Sequence, residues 1–225
     1  MPRTARIAPA GLIFHVLNRA NAGAQLFERD ADYRGFEDLL VETGVRLPVP
    51  ILAYCLMPTH WHLVLWPQRD GDLGAFMQRL TTTHARRWHL ARRSVGRGHL
   101  YQGPYKSFPV ADDAHLLTVC RYVERNPLRA RLVARAEDWR WSSLSDRGGA
   151  PERPALSPGP MARPTDWLAW VNEPQTAAEL EAVRTCVRRG RPYGGEAWSR
   201  AAAERLGLQS ALRSRGRPRK EEDMA

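Results

Sequence analysis

Cysteine is scarce in this 225-residue chain, with Cys55, Cys120 and Cys186 the only three. None forms a CxxC pair and the number is odd. That excludes a disulfide framework and a thiolate zinc site, and suits buried thiols in a reducing compartment. Long apolar runs are also missing. The longest covers residues 51–57, far short of a membrane span. Residues 1–18 lack the layout of a signal peptide, so a cytoplasmic protein with no membrane partner is expected. No internal repeat is present. Lysine is almost absent: Lys106 and Lys220 are the only two among 34 Lys plus Arg, set against 24 Asp plus Glu.

The balance is therefore an arginine-borne formal charge of +10, which points to a polyanionic partner, nucleic acid being the commonest. Hydrophobic residues at 43% and aromatics at 8% are too frequent for a wholly disordered chain. The length allows one full domain plus a smaller appendage.

Hydrophobic periodicity divides the chain into recognisable pieces. Residues 12–17 read as a strand. Residues 30–44 carry Tyr33, Phe36, Leu39, Leu40 and Thr43 at helical spacing, with Asp30 or Asp32 as N-cap. Two β-rich stretches, 49–56 and 60–66, are joined by Met57-Pro58-Thr59, which predicts an antiparallel hairpin. Residues 73–93 form a long amphipathic helix pattern with a basic end, and 94–104 a Gly-rich loop. A strand is expected at 105–110. A helix is expected at 112–126, stopped by Pro127, its core face Leu116, Cys120 and Val123. Residues 148–164 are rich in Pro, Gly and Ser and read as a linker. Helices follow near 176–189 and 196–206. The tail, 213–220, has five cations and no apolar periodicity, and reads as disordered unless bound. Strands and helices alternate irregularly and the one clear strand pair is tightly linked, so the class is α+β with an antiparallel sheet.

Two constellations bear on chemistry. In His60-Trp61-His62 the two imidazoles, at i and i+2 of a strand, share one face while Trp61, Leu63 and Leu65 take the other. Such a pair is either two ordinary half-buried histidines or a chelate for one metal ion. Tyr122 and Asn126, at i and i+4 of a helix, also share a face; alone they equally describe a boundary tyrosine and an Asn near a helix end. Together they suit phosphodiester cleavage. A phenol, pKa about 10 in peptides, can attack phosphorus if held in line and deprotonated. A divalent ion polarises a phosphate oxygen. Two His and an Asn carbonyl supply three ligands and leave positions open. The covalent phosphotyrosine preserves the phosphoester for later rejoining.

The sequence resembles the REP-associated tyrosine transposases, single-tyrosine members of the HUH (His-hydrophobic-His) transposases. The matching segments are Met57-Pro58-Thr59-His60-Trp61-His62-Leu63-Val64-Leu65, Gly98-His99-Leu100-Tyr101-Gln102-Gly103, Arg121-Tyr122-Val123-Glu124-Arg125-Asn126-Pro127-Leu128-Arg129-Ala130 and Trp141-Ser142-Ser143. His15-Val16 with Asn18-Arg19, and Phe27-Glu28-Arg29-Asp30, also look like the family. The chain departs from the common pattern at Thr59, Pro104, Glu124 and Arg125.

The resemblance implies a ferredoxin-like HUH nuclease fold: a central antiparallel β-sheet flanked by α-helices, with a helical, basic C-terminal extension. It implies a nuclease domain over 1–147, a linker over 148–164, a helical DNA-binding extension over 165–212 and a basic tail over 213–225. His60, His62 and Asn126 match the metal ligands, for Mg²⁺ or Mn²⁺, and Tyr122 matches the nucleophile. The implied partner is a single-stranded DNA hairpin, cut beside a short guide sequence to leave a 5′-phosphotyrosine and a free 3′-OH. The implied state is monomer or homodimer, nucleoid-associated in the cytoplasm. Arg19, Arg86, Arg87, Lys106, Arg125, Arg129, Arg191, Arg217, Arg219 and Lys220 are candidate DNA contacts. From Arg184 onward the chain holds eleven cations against five acids, which suits salt-dependent phosphate binding. A second reading is a non-cleaving, sequence-specific binder of repeated hairpins. A third is an RNA-processing enzyme on a similar scaffold.

Overall fold

The computed structural model describes residues 7–145 and 153–213. Arg217, Arg219, Lys220 and the start of the expected linker, 148–152, lie outside the described residues.

The chain begins with β1 (Ile13–Arg19), α1 (Asp30–Arg46), β2 (Ile51–Met57), β3 (His60–Leu65), α2 (Asp72–Ala91) and β4 (Lys106–Val110). The sheet order is β2-β3-β1-β4 and every neighbouring pair is antiparallel. This is the split β-α-β-β-α-β arrangement of ferredoxin-like folds. The β2–β3 hairpin pairs Met57 with His60 across the two-residue turn Pro58-Thr59, as the short connection predicted.

One face of the sheet packs on α1 and α2. Its apolar layer includes Phe14, Val16, Trp61, Leu63, Leu65, Phe36, Leu40, Phe76 and Leu80. Period-2 alternation sends Trp61, Leu63 and Leu65 here and the even-numbered His60, His62 and Val64 to the other side. The Gly-rich loop is anchored to this layer. Trp61 Nε1–H donates to the Tyr101 hydroxyl at 3.1 Å, and the hydroxyl lies 2.5 Å from His84 Nδ1. Burial holds the His84 pKa down at about 3, against about 6.5 when exposed. Below pH 6.5 the unfolded chain takes up a proton that this ring refuses, so stability falls as pH drops, by about 1.4 kcal/mol per unit per such ring. Metal-free protein is therefore expected to lose urea resistance from pH 7 to pH 5. His84→Gln is expected to reduce that slope by about one proton, and an unchanged midpoint across this range would contradict the account.

The opposite face receives α3 (Ala114–Glu124), capped by the Asp113 carboxylate. Leu116, Val119, Cys120 and Val123 meet Ile13, Cys55, Val64 and Phe108 there. Pro127 does not simply stop this helix, as the sequence reading expected. The helix ends at Arg125 and Pro127 enters the first turn of a new one, α4 (Asn126–Arg129). A proline lacks the N–H for a helix interior but is tolerated where first-turn N–H groups have no partner.

The C-terminal helices are α5 (Trp167–Asn172), α6 (Ala177–Arg189), α7 (Glu196–Arg205) and α8 (Gln209–Leu212). The Thr176/Glu179 capping box starts α6 and left-handed Gly190 ends it. Trp167, Val171, Val183 and Cys186 join the same apolar layer as α3. Both sheet edges are covered. At β2, Leu56 N–H donates to the Trp141 carbonyl, Ser143 N–H to Tyr54 and Ser157 N–H to Ile51. At β4, Tyr193 exchanges backbone bonds with Pro109 and Ala111. Covering edges removes templates for wrong pairing. Residues 153–164, within the stretch read as a linker, thus lie along β2. Arg163 from this segment donates to the Leu52 carbonyl and to Glu124. All three cysteines are buried and free. Among the described residues no helix is long and apolar enough to cross a membrane.

Candidate functional site

The site forms where the α3 face of the central strands meets the end of α3. In the β1–β3 register Leu17 lies opposite His62 and Arg19 opposite His60. His15, Leu17 and Arg19 therefore share a face with the histidine pair. The His60 and His62 ring centroids are 5.1 Å apart. Tyr122, in the last turn of α3, sets its ring centroid 6.0 Å from that of His62 and 6.2 Å from that of His15. Asn126 opens α4 and is buried. The structure thus brings His60, His62, Tyr122 and Asn126 together from two segments sixty residues apart.

Arg129 closes the group. Its guanidinium carbon lies 4.1 Å from the Tyr122 ring centroid, and Nη2 donates to Asn126 Oδ1 at 3.0 Å. The charge of Arg129 acts on both histidines, as does that of Arg19. Burial is the larger cause: it pushes His60 down to about 4 and His62 well below its ordinary value. His15, wholly buried, falls to about 3 for the same reason. The three imidazoles are neutral at pH 7, the form that ligates metal.

The donor set suits a divalent ion in part. His60 Nδ1 meets the Thr59 hydroxyl at 3.1 Å and His62 Nδ1 meets His15 Nε2 at 2.9 Å. Nε2 of each ring is a donor atom for a ligand in the tautomer that carries the ring proton on Nδ1. Asn126 Oδ1 accepts from Arg129. Among the described residues no cluster of three or more His, Cys, Asp or Glu is placed to hold a metal, so the candidate set is two imidazoles and one amide oxygen.

The basic candidates separate. Arg19 and Arg129 join the site, and Arg125, half-buried beside it, reaches toward the Val171 carbonyl. Arg184 on α6, not singled out from the sequence, adds its charge to Arg129. Lys106 is exposed on β4 and Arg191 is half-buried after α6. Arg86 is exposed on α2, and Arg87 pairs with Glu42 of α1 at 2.8 Å; both belong to the helices of the other face. His15 was legible only as part of a resemblance. Its alternation with Leu17 marks one strand face, but no local signal says which residue that face meets. Glu124 lies away from this surface, wholly buried, bonded to Ser143, Arg163 and Trp167. Thr59, another departure from the family pattern, places its hydroxyl on His60.

A family model described as "Transposase IS200 like" matches residues 10–126, which spans β1 through Asn126. No curated protein matches the chain. Among solved structures, a REP-associated tyrosine transposase bound to a REP hairpin aligns with 70% of this chain and 93% of its own, at 20% identity and TM-score 0.52. That likeness establishes the same antiparallel α+β architecture. A candidate transposase from Deinococcus radiodurans R1 aligns with 55% of this chain and 96% of its own, at 23% identity and TM-score 0.36.

Proposed function

The chain belongs to the IS200-like transposase family, and from that premise we propose that it is a single-stranded DNA endonuclease and strand-transfer enzyme acting on DNA hairpins of the REP type. The observation that carries this reading is the convergence of Tyr122 with the His60–His62 pair. DNA as partner class follows from the family, and the hairpin is what the similar solved structure holds.

In this reading Tyr122 gives up its phenolic proton and attacks the phosphorus of a strand held across the sheet end. The bond from phosphorus to the 3′-oxygen breaks, the leaving oxygen takes up a proton, and the 5′-phosphate stays on the tyrosine. His60 Nε2, His62 Nε2 and Asn126 Oδ1 would hold Mg²⁺ or Mn²⁺, whose chemistry is to polarise a non-bridging phosphate oxygen. Arg129 shields the ring of Tyr122 and releases Asn126 when DNA phosphate competes for its guanidinium. Arg19, Arg125 and Arg184 extend the positive rim along which the backbone runs. Lys106, Arg191 and the tail cations Arg217, Arg219 and Lys220 grip the hairpin from the C-terminal side.

The test is a denaturation-resistant DNA–protein adduct. Labelled single-stranded hairpins are incubated with the protein and Mn²⁺. An adduct is expected whose formation chelator prevents and that His60→Ala or His62→Ala lowers at least about a hundredfold, while hairpin affinity in chelator stays the same. An adduct indifferent to chelator would overturn the metal role. Tight hairpin binding with no adduct would favour the non-cleaving binder. Equal reaction of a ribose hairpin would favour RNA processing.

A further inference from the structure

His15 is wholly buried yet polar. Phe108 packs edge-on against it at 4.9 Å and Tyr122 at 6.2 Å between centroids. Its Nδ1 finds no hydrogen-bond partner among the described residues. An aliphatic side chain would fill this place without stranding a nitrogen, so packing does not explain a histidine here. Among the described residues its one polar contact is Nε2 against His62 Nδ1 at 2.9 Å, with the ring planes within 7° of parallel.

We infer that His15 is a positioning residue for His62, accepting the His62 Nδ1–H and so holding the tautomer whose Nε2 lone pair faces a divalent ion. The inference rests on the metal-site reading above. Two neutral rings share one proton across this contact, which leaves two arrangements. If His15 donates, His62 carries its own proton on Nε2 and cannot ligate. If His62 donates, its Nε2 is a free donor atom and its ring orientation is set by the partner. The same device serves the other imidazole, where the Thr59 hydroxyl sits on His60 Nδ1. Both candidate ligands thus have Nδ1 engaged by a side chain, and Nε2 is free for the ion where Nδ1 carries the ring proton. His15 comes from the neighbouring central strand, so the β1–β3 register that builds the sheet also sets the ligand orientation.

The test uses the full chain and Mn²⁺ alone, followed by loss of the free-ion electron paramagnetic resonance signal. His15→Phe is expected to weaken Mn²⁺ binding about ten- to a hundredfold with hairpin affinity in chelator unchanged. His15→Gln, whose carbonyl can accept the same proton, is expected to restore most of it. Ring ¹⁵N spectra of the Mg²⁺-loaded wild type provide a reading that needs no variant: His62 is expected to carry its proton on Nδ1. Mn²⁺ binding by His15→Phe equal to wild type while His62→Ala loses it would overturn the role of His15 alone, whereas a His62 proton on Nε2 would remove His62 as a ligand and this inference with it. Failure of the wild type to bind Mn²⁺ would overturn the metal reading and this inference with it.

Discussion

Tyr122→Phe is expected to abolish the covalent adduct, lowering cleavage by more than about a thousandfold, because it removes the attacking oxygen and nothing else. The ring itself is retained. It still packs against His15 and His62 and beneath Arg129, so melting temperature and hairpin affinity are expected to stay at wild-type values. Two other core tyrosines, Tyr101 and Tyr54, are poor substitutes. The Tyr101 hydroxyl is held by Trp61 and His84, and that of Tyr54 donates to Glu37, both on the α1–α2 face. Burial raises both far above the ordinary phenol range. Mass spectrometry of a protease-digested adduct would place the nucleotide on the peptide containing Tyr122. An adduct of wild-type yield in Tyr122→Phe would remove this residue from the chemistry.

The second large effect is on stability. Glu124 is fully buried two residues after the proposed nucleophile. Its Oε1 accepts from Ser143 Oγ at 2.6 Å and Arg163 Nη2 at 2.8 Å, and its Oε2 accepts from Trp167 Nε1 at 2.8 Å. Two segments, one at Ser143 and one holding Arg163 and Trp167, are thereby tied to α3. Glu124→Ala strands the Trp167 indole N–H and leaves the Arg163 guanidinium without its carboxylate, while the Ser143 hydroxyl keeps the Tyr54 carbonyl and Arg163 keeps the Leu52 carbonyl. Losing one partner of a buried ion pair costs about 3–5 kcal/mol. Arg163 keeps 31% of its side chain exposed, so water relieves part of its charge and the low end, about 3 kcal/mol, is expected. For a chain of this size that lowers the melting temperature by about 6–12 °C. Glu124→Gln keeps the shape and two of the contacts, and is expected to lose about half as much. A change below about 1 kcal/mol for Glu124→Ala would show that these contacts do not tie the C-terminal segment to α3.

Much of the fold was legible because its signals are local. The strand at residues 12–17, the hairpin around Pro58-Thr59, and the helices over 30–44, 73–93 and 176–189 all appear in the structure within a few residues of their expected ends. Alternation placed His60 and His62 together and Trp61 opposite. Helical spacing set Tyr122 with Asn126 on one helix, which the structure divides between α3 and α4. The short α5 and α8 were not anticipated, since four to six residues carry too little periodicity to register. Glu124 and Arg121 are charged residues on a helix whose apolar stripe suggested one buried side. They are buried because 153–174 cover the second side: Arg121 donates to the carbonyls of Trp170 and Glu173.

What the sequence determined by itself is the set of elements, their buried faces and the pairs of residues each face carries, because periods of 2 and 3.6 are written into consecutive residues. It also determined the excess of positive charge and so the class of partner. What only the tertiary structure decided is which faces meet. The pairing of β1 with β3 put His15 against His62. The docking of α3 across the sheet put Tyr122 beside that pair. The packing of the C-terminal segment turned Glu124 inward and brought Arg184 to the site. Those choices depend on strand register and on which polar groups find partners in the interior, and neither is a property of any short stretch of chain.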